Sequence, residues 1–169
     1  MATQVYIDTG DAFQEVLDSQ LERLKRLEDE KKAANAELEE ADRAPEFVIS
    51  KARLFSAAVY AAAMVDLDVF ADFVREDLET HGPPSSVAEE RRLNRDVPHK
   101  FVFLRPLHVD YILLRRGELG VHHGVRVKSD RDFLHIATRY FASLNDANAM
   151  RFLALSETIH PKSRRHAKT

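Results

Sequence analysis

Apolar side chains recur at a helical period along most of this chain. Phe13, Leu17, Leu24, Leu38 and Ala41 fall near a heptad seam, widened by Val16, Leu21 and Leu27. They predict a first helix over 12–42, opened by Thr9-Gly10-Asp11 and ended by Arg43-Ala44-Pro45. The seam fails at Lys31, so the first half of that helix is expected to pack on a core or on another subunit. The second half reads as a solvated arm, supported by i,i+4 pairs such as Glu28 with Lys32. A second helix is expected over 46–80. Phe47, Leu54, Phe55, Ala58, Val59, Ala62 and Val65 share one face, and the section 54–65 is apolar almost all round, which marks the centre of the core. Leu67, Phe70, Ala71, Val74 and Leu78 then point inward, until His81-Gly82-Pro83-Pro84 stops the helix.

The pattern changes after that stop. Ser86-Val87-Ala88-Glu89 has the spacing of a capping box and predicts a short polar helix over 87–95, with Arg91, Arg92 and Arg95 on one side. Val5-Tyr6-Ile7 is an apolar lead, and Phe101-Val102-Phe103-Leu104 is either strand-like chain or a helix start. Pro106 suits a first helical turn, and a helix is expected over 107–116, interrupted by Gly117 and Gly120. Val125-Arg126-Val127 reads as strand-like. Further helices are expected over 130–144, with Phe133, Ile136, Ala137, Tyr140, Phe141 and Leu144 inward, and over 147–159, stopped by His160-Pro161. The expected fold class is all-α: a helical bundle of about five or six helices with a long N-terminal helical hairpin. Residues 1–161 read as one domain, with 1–44 a candidate dimerisation arm and 162–169 a basic, disordered tail.

Composition narrows the chemistry. The chain has 169 residues and no cysteine, which removes disulfides, thiol nucleophiles and thiolate metal sites. The start lacks the basic and apolar regions of a signal peptide, and the longest apolar run, 57–65, falls short of the about 20 residues a bilayer needs. A cytoplasmic protein with no membrane partner is the expectation. The net charge of −3 conceals an asymmetry. Residues 1–98 carry 12 Lys/Arg against 22 Asp/Glu, a balance of −10, whereas 99–169 carry 13 against 6, a balance of +7. Seven of the eight histidines lie in the second part. Such a half points to an anionic partner, nucleic acid first, or else to neutralisation by the acidic half within the fold or across a dimer.

One stretch combines permanent cations with groups that titrate near neutral pH. Leu113–Gly124 reads Leu-Leu-Arg-Arg-Gly-Glu-Leu-Gly-Val-His-His-Gly, with five residues between Arg116 and His122. An arginine followed by four to six residues and a histidine, after a long buried helix and before another helix, resembles the signature of the HEPN domains (higher eukaryotes and prokaryotes nucleotide-binding). The resemblance spans 45–144, and Gly117 stands where that family usually has a polar residue. It implies a metal-independent ribonuclease, in a defence or toxin system, whose two subunits bring paired Arg/His motifs into one cleft. His122 would then act as general acid or base at the ribose 2′-hydroxyl and Arg116 would stabilise the phosphate, with Arg115 and His123 as adjacent alternatives. Arg126, Lys128, Arg164 and Arg165 are candidate RNA contacts. No cofactor or metal is expected: His108 and Asp110 are isolated, Glu157-Thr158-Ile159-His160 lacks a second such pair and reads as a helix end, and His135 reads as a helix-surface histidine. The other reading is a non-catalytic structural or adaptor protein that self-associates through its N-terminal helix.

Overall fold

The first part of the apolar seam is consumed inside the subunit, whereas Leu38 and Ala41 at its far end are exposed. In the computed structural model, which describes residues 3–7, 11–81 and 100–159, helix α1 spans Asp11–Ala36. For residues 3–7, 11, 100–103 and 157–159 the backbone path alone is described. Phe13, Leu17, Leu24 and Leu27 of α1 are buried in the same core as the other helices. Where the seam fails, polar groups take over. The buried Glu28 carboxylate accepts the Phe47 N–H and pairs with Lys31 at 2.7 Å, and the Lys31 ammonium lies 4.4 Å from the Phe47 ring centroid. Asn35 accepts from the Ala44 N–H at 3.0 Å and donates to the Ala44 carbonyl at 2.9 Å. The expected solvated arm therefore has a packed side: it holds the returning chain. α1 also stops at Ala36 rather than near Asp42, and a single 3-10 turn, Glu40–Asp42, follows before an extended link.

The expected second helix is two helices. α2 spans Lys51–Met64 and α3 spans Leu67–His81, with axes turned by 119°. Ser50 caps α2 by accepting from the Arg53 N–H at 3.3 Å. Asp66 caps α3 by accepting from the Asp68 N–H at 2.9 Å. Apolar periodicity runs through the break because both segments bury their apolar faces, so the seam alone does not report the corner. Leu54, Phe55, Ala57, Ala58, Val59, Ala61 and Ala62 are fully buried, which makes α2 the centre of the core as its composition predicts. The all-round burial ends at Met64, which is 46% exposed.

Two short strands, β1 (Thr3–Ile7) and β2 (Lys100–Leu104), pair antiparallel with Val5 opposite Val102. Val125–Val127 is irregular chain whose two valines are buried, not a strand. Helix α4 spans Pro106–His123, α5 spans Asp130–Ser143 and α6 spans Asp146–Ile159. The described residues form an all-α bundle of six helices in which α2 packs against α4, α5, α6 and α1. Phe70 and Phe73 of α3 meet Tyr140 of α5 edge-on at 5.4 and 5.2 Å, and Tyr60 bridges Tyr111 of α4 and Phe152 of α6 at 6.2 and 6.1 Å. The helix expected over 87–95 and the basic tail lie outside the described residues. No single described helix is long and apolar enough to cross a membrane.

Candidate functional site

Helix α4 does not stop at Gly117. It continues through Gly120 to His123 and ends at Gly124, whose φ of 63° is the left-handed conformation that glycine adopts without a Cβ clash. The Gly124 N–H bonds to the Gly120 carbonyl at 3.2 Å, and the Val125 N–H to the Leu119 carbonyl at 3.0 Å. The expected interruption is absent because α4 is anchored on its inner face by Ile112, Arg115 and Leu119, all buried. Tertiary packing there outweighs a glycine cost of about 1 kcal/mol at each site.

The two arginines of the motif hold the fold. Arg115 points inward, with its side chain only 9% exposed. Its Nε donates to the Ala62 carbonyl at 3.0 Å and its Nη2 to the Val65 carbonyl. These are carbonyls of the last turn of α2 and of its cap residue, which no residue of α2 can satisfy. Its Nη1 donates to Glu118 at 3.1 Å. Arg116 clamps the chain that leaves α4: Nε donates to the Val127 carbonyl at 3.0 Å, Nη2 to the Lys128 carbonyl at 2.8 Å and Nη1 to Asp130 at 2.6 Å. Asp130 opens α5, so one guanidinium joins two helices and the loop between them. All three nitrogens of each guanidinium are engaged.

The histidines differ from each other. His123 Nε2 lies 2.9 Å from Asp68 Oδ1, and its Nδ1 lies 3.3 Å from the Arg75 guanidinium. Arg75 is a permanent donor, so the tautomer that satisfies both contacts carries its proton on Nε2 and accepts at Nδ1. Both ring nitrogens are then used within the fold. Arg75 also donates to the His123 carbonyl at 3.3 Å and to Asp72 at 2.9 Å. His122 is exposed. On a helix turning about 100° per residue, Arg116 and His122 point about 120° apart. Arg115 with His122, and Arg116 with His123, share a side but start about 10 Å apart along the axis. Arg126 and Lys128 are exposed on the loop after α4, while Arg164 and Arg165 lie outside the described residues.

The fold brings other ionisable groups together outside the Arg/His motif. Asp77 of α3, buried, accepts two bonds from Arg139 of α5 at 2.7 and 2.8 Å, and His81 Nδ1 lies 3.3 Å from the same carboxylate. A readable signal existed: Asp77 continues the inward spacing of Phe70 and Val74, where an acid is out of place. His135, expected on the helix surface, is half-buried. Its ring stacks on Phe13 of α1 at 3.9 Å, and burial, reinforced by Arg139 and Arg131, pushes its pKa down to about 3. A cavity of about 310 Å³ opens among Lys32, Asn35, Ala36, Arg43 and Glu46, with no motif residue on its wall. Among the described residues, no three His, Asp or Glu side chains gather as a metal site. No protein-family model, curated protein or solved structure matches this chain.

Proposed function

We propose that the chain is a non-catalytic helical module that acts as a structural or adaptor subunit through self-association. What supports this reading is the way the Arg/His motif is used. Arg115, Arg116 and His123 are each engaged by carbonyls, carboxylates or a second cation of their own chain. A group that stabilises phosphate charge needs donors aimed at the substrate, and a general base needs a ring nitrogen open to it. The association surface differs from the N-terminal seam anticipated from sequence, because Phe13, Leu17, Leu24 and Leu27 face the chain's own core. A cytoplasmic setting belongs to the same reading.

The competing reading, an RNA-binding or RNA-cleaving HEPN-like dimer, draws on one observation: His122, Arg126 and Lys128 are exposed together around the C-terminal end of α4. RNA cleavage in EDTA separates the two. The expected result is no cleavage, with His122→Ala indistinguishable from the native chain. Cleavage that resists EDTA and disappears in His122→Ala would overturn the non-catalytic reading.

A further inference from the structure

The outward side of α4 carries two features that the subunit's own packing leaves unexplained. Leu113, Leu114 and Val121 are 54%, 60% and 80% exposed, although the same helix buries Ile112 and Leu119 on its other side. Between them stand Gly117 and Gly120, at helix-interior positions where a Cβ would meet nothing within 4 Å. Each glycine costs the helix about 1 kcal/mol relative to alanine. No close approach of the described chain requires either one. Glycine on an exposed apolar helix side lets the backbone of a second helix come close.

The order of these residues selects the occupant. Leu113 and Val121 stand four positions before and after Gly117, and Leu114 and Gly120 stand three before and after it. A two-fold axis at Gly117 maps this strip onto itself, as an interface between identical copies requires. Leu113 then meets the partner copy's Val121, Leu114 fills the space over its Gly120, and the two Gly117 backbones cross. Charge agrees with the antiparallel direction. Asp110, exposed, ends the strip toward the helix start, whereas Arg126 and Lys128, exposed, follow its other end. The axis brings Asp110 of each copy toward the basic loop of the other.

We infer that the outer side of α4 is a homodimer interface in which a second copy packs antiparallel across a two-fold axis at Gly117. The inference rests on the self-association reading above and names its surface. The test uses the full chain, which has no native cysteine. Sedimentation equilibrium is expected to show a dimer of the 19.3 kDa chain. Gly117→Cys is expected to form a disulfide-linked dimer under mild oxidation, because such a bond needs Cα atoms within about 7 Å. Val48→Cys, also exposed, at 74%, but on the link before α2, is expected to stay reduced. Leu113→Glu is expected to raise the dimer dissociation constant about 100-fold with the helical circular dichroism unchanged. A monomeric native chain overturns both this inference and the self-association reading. A dimer that survives Leu113→Glu, with Gly117→Cys unlinked, overturns the α4 interface alone.

Discussion

Arg115 shows why a motif residue can be indispensable without touching a substrate. Its guanidinium fits two carbonyls that the corner between α2 and α3 leaves open, and no lysine ammonium reproduces that fork. Arg115→Ala is expected to cost about 3 kcal/mol, since it strands buried carbonyls, and Arg115→Lys to recover little of it. Urea denaturation measures both, and an unchanged midpoint for Arg115→Ala would remove the capping role. His135 supplies a pH dependence whose sign is set by its environment. Its folded pKa of about 3 lies below the unfolded value of 6.5, so the unfolded chain binds its proton first. This contribution is complete above pH 6.5 and is lost progressively as pH falls toward about 3. Stability at pH 7 and pH 4 should therefore differ less in His135→Phe than in the native chain; an equal difference would show that another group sets the slope. The types of these residues were plain in the sequence. Their roles were not, because Ala62, Val65 and Phe13 come from segments distant along the chain.

At the scale of elements, ends and corners were harder to read than helices. Four helix starts rest on short polar side chains: Ser50, Asp66, Ser129 and Asn145 each accept an N–H of the first turn. Asp66 is hard to see as a cap in the sequence because it sits inside a continuous apolar pattern. Gly124 is the converse case, a C-terminal residue whose left-handed φ requires glycine. Gly124→Ala is expected to destabilise the chain by about 1–2 kcal/mol in thermal unfolding. A neutral effect would mean that the end of α4 can rewind. The strands β1 and β2 were legible only as apolar runs, since the 92 residues between Ile7 and Lys100 hide their pairing from any local pattern.

Across the whole molecule, part of the charge asymmetry is resolved by folding. Asp77 and Asp68 from the acidic part meet Arg139 and His123 from the basic part, while Asp146 of the basic part meets Arg23 at 2.7 Å. The Arg23 hydrogen bond holds the Asp146 carboxyl below the usual range. The Asp77–Arg139 pair ties α3 to α5 in a largely buried place, and Asp77→Ala is expected to cost about 3–5 kcal/mol by leaving a cation unpaired. Replacing Arg139 by leucine in the same chain should restore part of that loss. A double-mutant cycle by denaturation measures it, and strict additivity of the two changes would show that the pair is uncoupled.

The amino-acid sequence by itself determined the helical class, the buried α2 core, the inward sides of α3 and α5, and the chemical types gathered around Leu113–Gly124. Those follow from local periodicity and composition, which every residue carries with it. Tertiary structure alone decided the 119° corner, the pairing of the two strands, and the direction in which each arginine points. The reason is physical. A guanidinium seeks the nearest unsatisfied acceptors, and only the packing of distant helices determines whether those are a partner's phosphates or the open carbonyls of its own fold.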